Sequence, residues 1–279
     1  MLQLEKEYYC HGGIVSYYSH KSTQTQTSMR FSLFIPSNMA DKKIPYIMFL
    51  SGLTCTEDNF TTKANAYQKA SMLGIAILAP DTSPRGDHIP NDSAYDLGQG
   101  ASFYLDATQE PWAENFQMES YLIKELMPMV EKEFSLDNAQ KSIMGHSMGG
   151  HGALILYLKY PELFASCSAF APIVAPSKVP WGQKAFTAYL GDDRALWNQY
   201  DACALVTQMN NAALNAEILI DQGLNDTFLE DQLKPALFQA ACEKVGQKLT
   251  LRYHEHYDHS YFFIQSYIDS HLEWHKQYL

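Results

Sequence analysis

The chain has no run of basic residues. Across its 279 positions, 20 Lys and Arg stand against 31 Asp and Glu, giving a formal net charge of −11 and a pI near 5.3. That balance argues against binding to nucleic acid or to anionic membranes, since both need clustered cations to meet phosphate. Long apolar runs are missing too: no stretch approaches the ~18 residues that a membrane span requires. The opening MLQLEKEYYC carries early acids and no apolar h-region, so it is not read as a secretory signal. The five cysteines, Cys10, Cys55, Cys167, Cys203 and Cys242, are odd in number, scattered and without CxxC spacing. They support neither a disulfide framework nor a zinc ribbon, and a cytoplasmic protein with reduced thiols is expected. Internal repeats, low-complexity tracts and interdomain linkers are also absent, which leaves one domain spanning 1–279.

What is present suits a packed α/β protein. Hydrophobic residues make up 46% and charged residues 18%, ordinary proportions for a globular core. FSLFIP (31–36), PYIMFL (45–50) and IAILAP (75–80) read as short apolar strands ended by turn residues. SIMG (142–145), SCSAFAPI (166–173), EILID (217–221) and LTLRYH (249–254) continue the series. Helical periodicity falls between them, over 117–134, 148–159, 228–245 and from about Ser260 onward. Strand then helix, repeated, predicts a mostly parallel central sheet with helices on both faces. Two stretches, 81–116 and 174–203, show no clear period and are expected to be irregular but packed loops.

The strongest chemical signal is Gly145-His146-Ser147-Met148-Gly149, a G-x-S-x-G pattern between an apolar strand and a helix. A serine on such a sharp turn sits in strained backbone, so the positions two residues away must be nearly free of side chain. The turn lifts Ser147 clear of the sheet at a helix N-terminus, where the Met148 N–H can donate to a developing oxyanion. A base and an orienting acid are expected later in the chain, acid first. EILIDQGLNDTFLEDQ offers Asp221 at the strand end and Asp226 in the following loop, with Asp226 favoured by position. Among the histidines of YHEHYDHSYFF (253–263), His259 lies just past the strand and fits best. His146 adjoins the serine too closely to reach its oxygen. A second oxyanion donor is expected after the strand at 45–50, where Gly52-Leu53 allows close backbone approach and points to the Leu53 N–H.

Metal-dependent chemistry is the weaker alternative. His254 and His256 share a strand face, and His271 and His275 stand four apart, but HLEWH is not H-E-x-x-H and no third ligand is evident.

Taken together, SGLTCTEDNF (51–60), GHSMGGHGAL (145–154), PWGQKAFTAYLG (180–191), DQGLNDTFL (221–229) and YDHSYFFI (257–264) resemble the S-formylglutathione hydrolases, also called esterase D, of the α/β-hydrolase superfamily. The resemblance runs in order from about residue 3 to the C-terminus. It implies Ser147 as nucleophile, Asp226 as acid, His259 as base, and Leu53 and Met148 as oxyanion donors. It further implies thioester and short-ester hydrolysis on a small-molecule substrate, no metal or other cofactor, and a cytoplasmic homodimer. Cys55 and Trp181 are candidate pocket residues. The chain departs from the family pattern at Ala171-Pro172, where Asn-Pro is usual, at Ser102, where glycine is common, and in PSKVP before Trp181.

Overall fold

The computed structural model describes residues 2–37, 43–209 and 216–279. Among the described residues, nine strands form one sheet: β1 Gln3–Cys10, β2 Gly13–Lys21, β3 Ser28–Pro36, β4 Ile44–Leu50, β5 Ala76–Pro80, β6 Leu136–His146, β7 Cys167–Phe170, β8 Ile218–Gly223 and β9 Leu249–His254. Their order is β1-β2-β3-β5-β4-β6-β7-β8-β9. Pairing is antiparallel as far as β5 and parallel from β5 through β4 to β9.

The parallel strands are the expected apolar runs, and β4, β5, β7 and β8 are buried at every residue. Such burial requires cover on both faces. Side chains alternate across the sheet, and two neighbours on β7 show what covers each side. Ser168 faces the C-terminal helix Tyr261–His275, whose His271 and His275 bond to its hydroxyl. Ala169 faces the helix Met148–Lys159, with Gly150 directly above it.

Three details differ from the sequence reading. Strands β1 and β2 precede the first apolar run and contain no such run themselves; β1 is an exposed edge, whereas β2 is largely buried. The helix expected over 228–245 breaks at Lys234, which takes φ 49° before Pro235 opens the helix Pro235–Val245. Proline disfavours helical geometry in the residue before it. The segment 174–203 is not irregular. It holds helices Pro180–Leu190 and Arg194–Asn198, the first started by Pro180, whose missing N–H costs nothing at that position. The other expected loop, 81–116, does lack regular strands and helices, yet Phe103, Tyr104 and Phe116 within it are fully buried.

From β4 the chain steps one way to β5 and the other way to β6. The crevice past the ends of β4 and β6 is therefore the switch point where open α/β sheets place ligands.

Candidate active site

Ser147 sits at this switch point, joining β6 to the helix Met148–Lys159, with φ 58° and ψ −119°. That geometry is costly for a residue with a Cβ and persists only where the surroundings impose it. Here the Ser147 N–H donates to Phe170 O at 3.0 Å, while Ser147 O accepts from His151 N–H at 2.9 Å and Ile173 N–H at 3.3 Å. The flanking glycines are demanded by close approach. A Cβ on Gly145 would lie 2.1 Å from Gly149 O, and one on Gly149 would lie 1.9 Å from Leu50 O.

Register carries the other groups to the same edge. Gly145 pairs with Leu50 of β4 and Ala169 of β7, and Phe170 pairs with Asp221 of β8. Asp226 and His259 follow from the loops after β8 and β9. His259 Nδ1 lies 2.6 Å from Asp226 Oδ2, and the buried carboxylate also accepts from Phe228 N–H at 2.9 Å and Gln222 Nε2 at 3.3 Å. Loop alignment is fixed by backbone bonds from Leu224 N–H to His254 O and from Asn225 N–H to Tyr257 O.

Ser147 and His259 line one cavity of about 200 Å³, together with Leu53, Cys55 and Trp181. The structure thus gathers the predicted residues around a single space, with Asp226 behind His259. Met148 begins the helix at its base. The Gly52–Leu53 turn passes against the serine: a Cβ on Gly52 would come within 3.1 Å of Ser147 Cβ. Burial raises the pKa of the Cys55 thiol, which makes it a weak nucleophile at neutral pH. Trp181 donates from Nε1 to Tyr95 Oη at 3.1 Å and packs on Phe228 at 4.7 Å between ring centroids.

Four wall residues escaped the sequence reading: Thr54, Tyr95, Phe228 and His146. Phe228 had a signal, standing two residues after Asp226 in DQGLNDTFL. His146 was weighed only as a base. Its ring lies 4.5 Å from that of His259, and burial, with His259 adding to it, holds its pKa well below the usual imidazole range. It is a neutral platform beneath His259.

Asp221, the rival acid, is occupied elsewhere. Arg252 grips it through Nε at 2.5 Å and Nη2 at 2.7 Å, and the Nε2 atoms of His254 and His271 both lie 3.3 Å away. Burial would raise its pKa, but His271 and Arg252 outweigh burial and hold it well below the usual carboxylate range. His275 bonds to Ser166 and Ser168 at 2.7 and 2.8 Å, and His256 is exposed. Among the described residues, no three His, Cys, Asp or Glu are grouped to hold a metal ion. A larger open groove of about 650 Å³ lies beside Lys21 and Arg85 and includes none of Ser147, Asp226 or His259.

Comparison with known proteins places the chain among the esterases. The esterase family model matches residues 22–277. An S-formylglutathione hydrolase of Paracoccus denitrificans is 48% identical over 268 residues, covering 96% of this chain and 95% of that one. The solved S-formylglutathione hydrolase of Agrobacterium tumefaciens superposes with a TM-score of 0.96 at 46% identity, covering 99% of both chains. A ferulic acid esterase shares the fold at a TM-score of 0.76 and 18% identity, covering 97% of this chain and all of that one. The chain belongs to the S-formylglutathione hydrolase family of esterases and carries its α/β-hydrolase fold.

Proposed function

We propose that the chain hydrolyses S-formylglutathione to formate and glutathione, with Ser147 as nucleophile, His259 as base and Asp226 as the acid that orients it. The observation that carries this reading is the 2.6 Å His259–Asp226 bond delivered to the cavity that Ser147 lines. With Nδ1–H donating to Asp226, the His259 lone pair is on Nε2 and free to take a proton. Ser147 Oγ attacks the formyl carbon as Nε2 accepts the hydroxyl proton, and Asp226 stabilises the resulting imidazolium. The Leu53 and Met148 N–H groups face the oxyanion, each worth ~10²–10³ in rate. The carbon–sulfur bond then breaks, and the leaving thiolate takes the proton from His259. Water attacks the formyl-serine with His259 again as base, releasing formate and restoring Ser147.

The cavity, about 200 Å³, is smaller than the ~300–1,000 Å³ typical of drug-sized ligands. It suits a formyl or short acyl group, with the tripeptide lying outside it. A second reading, a broad short-chain carboxylesterase, is favoured by the same small volume, which holds a short acyl group whatever its leaving group. Measuring kcat/KM for S-formylglutathione against short aryl esters separates the two. A preference for the aryl ester by orders of magnitude rejects the first, and near-wild-type turnover in Ser147→Ala rejects both.

The reading extends to a cytoplasmic location, supported by five unpaired cysteines, and to a homodimer, which light scattering tests directly. It also makes alkylation of Cys55 a steric block of the cavity. Full activity after complete modification removes that point.

A further inference from the structure

The serine side of the oxyanion site is fixed by the elbow, but the Leu53 side depends on a short irregular turn. Thr54 within it takes φ 67°, in the left-handed region that a β-branched residue avoids. Such a conformation holds only if neighbours impose it. Those neighbours come from the segment 81–104, the long loop with no regular structure.

Four contacts brace the turn. Thr54 N–H donates to Gly100 O at 2.8 Å, and Tyr104 Oη donates to Ser51 O at 2.8 Å. Cys55 O, two residues past Leu53, accepts from Thr82 Oγ1 and from Arg85 Nη2 at 2.8 Å. Arg85 is itself aimed by Asp81, whose two carboxylate oxygens each lie 3.0 Å from Nε. Ser102, the departure from the family's glycine, donates to Thr82 O at 2.5 Å. The same segment reaches the other donor, because Phe103 N–H lies 3.4 Å from Met148 Sδ.

From this geometry we infer that Arg85, aimed by Asp81 and joined by Thr82, is a positioning residue that holds the Leu53 N–H in register with the oxyanion. The inference rests on the proposed Ser147 mechanism. Arg85 touches no substrate; it acts through the Cys55 carbonyl. A guanidinium suits the task because its planar fork reaches Asp81 and Cys55 O at once, which an ammonium cannot do.

The test uses 4-nitrophenyl acetate, so thiol preference plays no part. Acylation and deacylation each form a tetrahedral oxyanion held by the same two donors, so kcat reports them whichever step is slow. Arg85→Met is expected to lower kcat ~10–100-fold, a fraction of one donor's full worth, with KM within about twofold, the pattern of an interaction felt only in the transition state. Affinity for a trifluoromethyl ketone, which forms a serine-bound oxyanion, falls in proportion. Arg85→Lys restores only a small part of either. Lys69→Met, which severs a surface ion pair with Glu273, leaves both unchanged.

A folded Arg85→Met with kcat and ketone affinity within twofold of wild type overturns the inference, and so does full rescue by lysine. Should Arg85→Met fail to fold, Thr82→Val decides. It keeps the Asp81–Arg85 pair and the side-chain shape but removes one donor to Cys55 O together with the hydroxyl that Arg85 Nη2 meets at 3.3 Å. A several-fold loss in both kcat and ketone affinity supports the brace, and no loss in either overturns it. Poor turnover of S-formylglutathione leaves this test intact, whereas near-wild-type turnover in Ser147→Ala sinks the underlying mechanism instead.

Discussion

Asp221 and Asp226 stand five residues apart at the end of β8, both buried, and each faces a histidine. Asp226 lies beyond the strand, where Phe228 N–H and Gln222 Nε2 satisfy its carboxylate while His259 takes the remaining direction. Among the described residues no Lys or Arg touches it, so its charge is left to act on one imidazole. Asp221 is still within the strand, and its parallel partner is Arg252 of β9. The guanidinium engages both of its oxygens, and His254 and His271 close over them. One carboxylate faces a single imidazole, as the proposed mechanism requires; the other is neutralised and ties β8, β9 and the C-terminal helix together. Position beside Arg252, not burial, separates the two.

Asp226→Asn breaks the reactive half. The asparagine can favour the wrong imidazole tautomer, and a loss of roughly 10⁴ in kcat is expected. KM and the urea midpoint should hardly change. A loss below tenfold in steady-state kinetics would mean that another group orients His259.

Arg252→Met breaks the structural half and ranks next. It strands a buried carboxylate, a change that typically costs about 3–5 kcal/mol. Urea unfolding should show that loss, while kcat per folded molecule stays within a few-fold. A collapse in kcat with unchanged stability would reverse the roles assigned to the two aspartates.

The serine elbow was legible because its requirements are local: strand, two close-approach glycines and helix lie within a few residues. Position in the sequence leans to Asp226 over Asp221, but both occur near one strand end. What decides is the register that sets Arg252 beside Asp221, a contact across 31 positions of chain. The same limit hid the brace on the Leu53 turn. DTSPRG reads as a breaker-rich loop, and its hydrogen bonds to Cys55 exist only once β4 and β5 lie side by side. Residues 174–203 were misread for a different reason: prolines that start helices at Pro176 and Pro180 resemble prolines that end them. The exposed, polar β1 lacked the apolar run by which the other strands were found.

A smaller effect follows from pH, and it falls mainly on the structural half. Burial lowers the pKa of His271 and holds that of His275 well below the ordinary value. Each is therefore neutral when folded, whereas in the unfolded chain each titrates near 6.5. Below that pH the unfolded state binds more protons, so stability is fully present above about 6.5 and declines as pH falls, by up to ~1.4 kcal/mol per unit for each group. Asp221 has the same sign but acts later. Its contribution is present above its unfolded value near 3.9 and disappears only as pH drops through its lower folded value. Urea midpoints measured from pH 8 to 5 should therefore fall from about 6.5 downward. The fall is partly offset by Asp81, whose carboxyl burial raises to about 6, so that it takes a proton in the fold before it would in the unfolded chain. A flat profile over that range would mean that these histidines are charged inside the fold.

The smallest expected effect concerns His256, which shares YHEHYDHSYFF with His259, the proposed base. Its side chain is 89% exposed and lies 4.0 Å from an equally open Glu255, a contact that solvent screens almost entirely. It does take φ 69°, so the informative substitution is glycine, which relieves strain without removing any buried contact. His256→Gly should leave kcat unchanged and move stability by less than about 0.5 kcal/mol, because the relief of strain is offset by the greater freedom of glycine in the unfolded chain. A large loss of turnover would show that the 255–258 turn, and not only the Asp226 bond, sets the position of His259.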